Sequence, residues 1–250
     1  MPLRHAPVVL FAAILSAALA FVPAAAPRAE GIARVLGVAI DRGELPAAGH
    51  DPAAAARQLH ERVWNAVSRH YIEHNGLGAT REEKAEVVAY HEAFERQDRA
   101  QRARKLEELQ QRLAAAELPP GERARLEEFR AVLERMAGRD ADRDQAPPAD
   151  PAREAERHAP WIEIWKMHRA IHRQYGGVVA LTPAGPYPHG AWMALIEDYE
   201  RRGLLEFTDG ALREGLFALL AARPALVVPA DKADFTPYWR RPIPPSYFPD

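Results

Sequence analysis

The chain has 250 residues, with 33 Lys and Arg against 35 Asp and Glu and a formal net charge of -2. It therefore lacks the basic excess with which a nucleic-acid partner's phosphates would be neutralised. There is no cysteine, which excludes disulfides, thiol catalysis, zinc-thiolate sites, iron–sulfur clusters and covalent haem attachment. The length allows one or two domains with a sizeable core, and 22 prolines gathered in connectors and at the C-terminus suit helices joined by stiff segments.

Residues 1–29 read as an export signal. Arg4 and His5 precede an apolar run from Val8 to Val22, followed by small residues at Ala24, Ala25, Ala26 and Ala29. A charged start, an apolar core and a small-residue cleavage region are what a secretory translocon reads, and the run falls short of the ~20 residues that span a bilayer. Cleavage after Ala20, Ala24 or Ala29 puts the folded part in the periplasm. The alternative is an uncleaved anchor that tethers it to the inner membrane.

Residues 30–95 open with a short β-prone run from Ile32 to Leu45, bending at Gly37. Asp51-Pro52 offers an N-cap followed by proline in the first turn, and Leu59, Val63, Trp64, Val67 and Tyr71 keep helical spacing until Asn75-Gly76. Thr80 and Glu83 form a Thr-x-x-Glu capping box for the next helix, whose first apolar surface is Val87, Val88, Tyr90, His91 and Phe94. Residues 96–138 predict a projecting helical hairpin broken at Pro119-Pro120-Gly121. Its seam is narrow, with Leu106, Leu109 and Leu113 on one arm and Leu126, Phe129, Leu133 and Met136 on the other. Gly138 is expected to end the second arm and residues 139–150 to form a flexible linker.

Residues 151–222 begin with a helix opening at Asp150-Pro151 and interrupted or kinked at Pro160. It carries Trp161, Ile164, Trp165, His168, Ile171, His172 and Tyr175 on one stripe before Gly176-Gly177. A short strand at Val178–Thr182 follows, then a turn-rich passage from Pro183 to Pro188. A helix with Trp192, Leu195, Ile196 and Tyr199 closes at Gly203, and a last one capped by Thr208-Asp209 bears Leu212, Leu216 and Leu220. The tail, residues 223–250, interleaves prolines with Phe235, Tyr238, Trp239, Tyr247 and Phe248. It is expected to lie extended over an apolar surface without an element of its own.

The run Ala33-Arg34-Val35-Leu36-Gly37-Val38-Ala39-Ile40, the helix after it, and Tyr71-Ile72-Glu73-His74-Asn75-Gly76-Leu77-Gly78-Ala79-Thr80-Arg81-Glu82-Glu83 cover about a third of the chain. Together they resemble the N-terminal chaperone region of SurA/PpiD/PrsA-type periplasmic folding factors. The resemblance implies a mainly α fold: a SurA-N-like helical domain with a minor two-stranded β element, carrying the protruding antiparallel hairpin. In such a domain the stripe from Trp161 to Tyr175 returns to pack on the first helices, and support would come from Ile32–Ile40 pairing with Val178–Leu181. The parvulin isomerase signatures, a His-Ile-Leu strand and a Gly-Gly-x-Leu-Gly segment, are missing, and Gly176-Gly177-Val178-Val179-Ala180 does not supply them. What the resemblance implies is a chaperone without prolyl isomerase activity, cofactor or catalytic residues. Its partners would be unfolded or outer-membrane-bound clients, met by a surface that includes Trp64, Tyr71, Trp161 and Trp165.

A competing motif is His70-Tyr71-Ile72-Glu73-His74, which fits the inverted zinc-protease pattern His-x-x-Glu-His. His70 and His74 share a helix face, and Glu73 could activate a zinc-bound water. The third ligand of such proteases would fall near Ala149-Asp150, with Glu154 and Glu156 as substitutes, on a far larger scaffold than this one. His168 and His172, also i,i+4, sit among Trp161, Trp165 and Tyr175 and read as satisfied core histidines. No nucleophile elbow and no phosphate-cradling loop is present. A third reading is an envelope adaptor whose hairpin docks another protein.

Overall fold

A computed structural model describes residues 31–45, 51–114, 118–147, 150–182 and 185–245. The predicted export segment lies outside them. The protein is mainly helical, with small antiparallel sheets of three strands. In chain order the elements are β1 (Gly31–Val35), β2 (Val38–Asp41), α1 (Pro52–His74), α2 (Arg81–Ala114), α3 (Pro120–Gln145), α4 (Pro151–Tyr175), β3 (Val179–Thr182), β4 (Gly185–Tyr187), α5 (His189–Arg201), β5 (Leu205–Phe207), α6 (Gly210–Ala221) and β6 (Val227–Val228). Among the described residues no helix is long and apolar enough to cross a membrane.

The first β run folds back on itself. Leu36 and Gly37 both take positive φ, 52° and 82°, giving the two-residue connection whose twist suits a hairpin. β1 pairs antiparallel with β2 on one side and with β5 on the other, matching Ala33 to Phe207 and Val35 to Leu205. The pairing of Ile32–Ile40 with Val178–Leu181 that would have supported the resemblance is not made, since β2 and β5 occupy both edges of β1. β3 belongs instead to a second sheet, ordered β4-β3-β6, so there are two three-stranded sheets where one two-stranded element was expected.

The main core lies between the first sheet and α1, α4, α5 and α6. Leu59, Val63 and Val67 of α1 meet Met167 and Ile171 of α4, Leu195 and Ile196 of α5 and Leu216 of α6, all buried. Asp51 caps α1 by accepting the N–H groups of Ala53 and Ala54 at 2.9 and 3.1 Å, and Asp209 caps α6 by accepting from Leu212 at 3.0 Å. The capping box also forms: Thr80 N–H donates to Glu83 at 2.9 Å and Glu83 N–H to Thr80 at 3.2 Å. Glu83 then accepts from Lys166 at 3.0 Å, which ties the start of α2 to α4.

α2 and α3 form the predicted hairpin, and Leu109 and Leu133 are buried in its seam. Gly138 does not end the second arm, however, and the linker expected over 139–150 is helix as far as Gln145. The reason is lateral. Asp144 accepts from Arg99 at 2.9 Å and Asp140 from Arg102 at 2.5 Å, Arg99 also pairs electrostatically with Asp140 at 3.8 Å, and Arg143 donates to Glu95 at 3.1 Å, so α2 supports the second arm past the glycine. A mid-helix glycine costs only about 1 kcal/mol relative to alanine and cannot by itself stop a helix held this way. Likewise α4 runs unbroken through Pro160. The tail, expected to have no element of its own, contributes β6, because the N–H groups and carbonyls around Val227 and Val228 find β3: Leu181 N–H donates to Leu226 O at 3.1 Å.

Candidate functional site

A cleft of about 710 Å³ opens between the middle of α4, the second sheet and the C-terminal segment. α4 supplies Trp161 and Trp165, one helical turn apart on the same face. Leu181 and Pro186 come from the sheet, Tyr238 and Lys232 from the C-terminal segment, and His91 and His158 close one end.

Trp165 is fixed from three sides. Its Nε1–H donates to the Phe235 carbonyl at 2.9 Å, and its ring makes edge contacts with Tyr238 and Trp239 at centroid distances of 6.0 and 5.9 Å. The third side is Gly185, at φ 111°, where an added Cβ would lie 2.7 Å from the indole Cη2. Glycine is required there both by the backbone angle and by the closeness of the ring. Trp161, by contrast, is 62% exposed at the mouth. Around it the second sheet leaves Val178, Leu181, Leu226 and Val227 exposed as well.

The cleft's polar end is made by two imidazoles whose centroids are 4.8 Å apart. His91 Nε2 is 3.0 Å from the Tyr238 hydroxyl, and His158 lies 3.5 Å from Glu154. Burial, then the neighbouring His158, keep His91 below the ordinary histidine pKa, with Glu95 opposing. Burial, then Arg157, do the same for His158. Both rings thus favour the neutral form, and besides its apolar surface the lining carries the charged groups of Lys232, Asp234 and Arg241. Such a site can hold an extended chain that carries apolar side chains.

Of the four residues expected to face a client, two line this cleft, Trp161 and Trp165. The other two lie elsewhere on the molecule. Trp64 packs into the seam between α1 and α5, 4.0 Å from Trp192 by centroid, and Tyr71 is buried with its hydroxyl donating to Gln174 at 2.7 Å. Trp64 is half-buried and borders a second cavity, of about 490 Å³, with Ser68 and Ile72, so the two α1 residues stand apart from the cleft that holds Trp161 and Trp165.

The zinc-protease motif is laid out on α1 with His70 and His74 stacked, 5.6 Å between centroids and 12° between planes. His70 Nδ1 lies 2.7 Å from the Tyr199 hydroxyl. Glu73 is exposed. The proposed third ligands are engaged elsewhere, Glu154 with Arg157 and His158, Glu156 with Lys84 at 2.6 Å on α2. Among the described residues no group of three or more His, Cys, Asp or Glu side chains could share a metal ion.

His168 and His172 are packed as expected but not satisfied, since each has a buried Nε2 without a hydrogen-bond partner. Aromatic neighbours explain this: His168 meets Tyr187 edge-on at 5.3 Å and His172 lies 4.8 Å from Phe235. Burial brings the His168 pKa down to about 4.

His91, His158, Gly185 and Tyr238 were not singled out as site residues by the sequence. The one signal for them was the aromatic spacing of the tail, since His91, the hydrogen-bonding neighbour of Tyr238, lies 147 residues away along the chain. Comparison with known family models, curated proteins and solved structures gives no match to this chain in any of the three.

Proposed function

We propose that the protein is an exported chaperone-like binder of extended or unfolded polypeptide, with no prolyl isomerase activity and no cofactor, acting in the periplasm. The observation that carries this reading is the gathering of exposed apolar surface at one place. Five of the eight large apolar side chains left exposed among the described residues, Trp161, Val178, Leu181, Leu226 and Val227, belong to the cleft and the sheet beside it. Exposed apolar side chains at and beside an open cleft are the kind of surface that meets another chain, and extended peptides use such grooves. Export is supported by the charged start and apolar run of residues 1–29.

The test is light scattering of a chemically unfolded model protein diluted into buffer with increasing amounts of the purified chain. Suppression of aggregation near stoichiometric ratio, lost in Trp161→Ser, is the expected result. No suppression at any ratio refutes the reading.

The adaptor reading has one observation of its own. Val132 and Met136, each 37% exposed, lie four residues apart on α3 and could seat a partner on the hairpin. It predicts that a specific envelope partner is lost in the Val132→Ser, Met136→Ser double variant while the response to unfolded chains is unchanged.

A further inference from the structure

From Pro229 to Pro245 the C-terminal segment crosses α4 and then α2, yet among the described residues its backbone makes no backbone hydrogen bond to the rest of the molecule. Its own bonds are local, such as Arg240 N–H to Pro237 O at 3.0 Å and Arg241 N–H to Tyr238 O at 3.1 Å. The segment is held by side chains alone. On its N-terminal side Trp165 donates to Phe235 O at 2.9 Å. On its C-terminal side Gln97 donates to Pro244 O at 2.6 Å and Gln101 to Pro245 O at 2.5 Å. Between them Arg240 pairs with Glu86 at 2.7 Å, and Trp239 fills a slot formed by Val87 and Ile162.

The segment also fixes its own shape. Arg241 donates to the carbonyls of Asp234 and Thr236 at 2.9 and 3.1 Å, and Asp234 accepts the Thr236 N–H at 2.8 Å. A piece that is preorganised internally and attached only through side chains can leave without breaking a strand ladder or a helix. What it leaves is a seat with an aromatic slot and side-chain donors aimed at backbone carbonyls, the arrangement by which proline-rich extended peptides are recognised.

The fit is incomplete at one point. Gln101 is only 5% exposed and its Oε1 has no donor. Pro244 and Pro245 bring no N–H to it. A segment with an N–H at that place would satisfy an acceptor that the described residues of the tail leave bare.

We infer that residues 234–245 are a displaceable intramolecular plug, and that the seat beneath them on α2 and α4 accepts in trans an extended segment of a client polypeptide with an aromatic anchor between prolines. The inference rests on the polypeptide-binding reading above and names the segment such a site takes.

The absence of native cysteine allows a direct test on the full chain. Val87→Cys places a thiol under Trp239, whereas Val67→Cys places one in the main core, and both native valines are essentially unexposed. Thiol labelling under native conditions should modify the Val87→Cys variant at least about tenfold faster than the Val67→Cys variant, since only the plug has to open. Equal rates overturn the plug. The second readout is anisotropy of a labelled synthetic peptide copying residues 234–245, titrated with wild type and with Trp239→Ser. Removing the internal anchor should tighten peptide binding by about tenfold or more, the scale of one buried aromatic anchor. No binding to the loosened variant overturns the trans partner. A chain that takes up this peptide yet never protects an unfolded client refutes the chaperone reading and leaves the seat standing, and the reverse pattern refutes the seat alone.

Discussion

Gly185→Ala is the sharpest perturbation of the cleft, because one methyl group meets two obstacles. The backbone at Gly185 has φ 111°, a region that residues with a Cβ rarely adopt, and the new Cβ would stand 2.7 and 2.8 Å from the Cη2 and Cζ3 atoms of Trp165. Backbone strain of this kind costs about 1–3 kcal/mol, and overpacking against a held side chain about 1–3 kcal/mol more. Trp165 cannot swing away freely, since its Nε1 bond to Phe235 O and its contacts with Tyr238 and Trp239 would be lost. A central figure of about 4 kcal/mol lowers the melting midpoint by roughly 8–16 °C for a chain of this size. Thermal unfolding followed by far-ultraviolet circular dichroism measures it, and tryptophan emission should shift to the red as the indole is forced toward water. A midpoint within about 1 °C of wild type would refute the account of why glycine stands there. Gly43→Ala, with nothing within 4 Å of the added Cβ, is the control and should leave the emission unchanged.

Gly138→Ala should raise stability by about 0.5–1 kcal/mol, because the position is interior to α3 and the new Cβ meets nothing within 4 Å; a loss of stability in urea titration contradicts a helix that continues to Gln145. Lowering the pH should destabilise the fold through His168. Its folded pKa of about 4 lies below the ordinary value of 6.5, so the unfolded chain takes up a proton first, and stability present above pH 6.5 is lost as the pH falls toward 4. The full loss is about 3 kcal/mol; His168→Gln should flatten that part of the curve, and an unchanged slope would contradict the assignment. Zinc titration by calorimetry should give no stoichiometric site at His70 and His74, and a bound ion whose peptide cleavage disappears in Glu73→Gln would reinstate the protease reading.

The helices that were legible carry their own boundaries. Asp51-Pro52, Thr80 with Glu83, and Asp209 act on N–H groups within three residues of themselves, so a local reading finds them. What could not be read was decided across the chain. α3 passes Gly138 because Glu95, Arg99 and Arg102 reach it from another helix, and β5 spans only Leu205–Phe207, too short to announce itself without β1 beside it. The strand at Ile32 is visible in the sequence but its partner is not, since Leu36-Gly37 reads locally as a bend and becomes a complete hairpin turn only with β2 folded back on β1. The same limit applies to the site. Helical spacing marks Trp64 and Tyr71 on α1 and Trp161 and Trp165 on α4 alike as apolar, and only the tertiary arrangement sets the α4 pair at the cleft and the α1 pair away from it.

The central claim is that an unfolded chain is held at the cleft mouth. It is tested most directly by p-benzoylphenylalanine placed at position 161, irradiated with a permanently unfolded, carboxymethylated client and, separately, with the same client in its native fold. Position 132 on α3, 37% exposed, serves as the surface control. A strong cross-link from position 161 to the unfolded client is predicted, with little from position 132 and none to the native form; equal yields from the two positions, or no cross-link to the unfolded client, would contradict it.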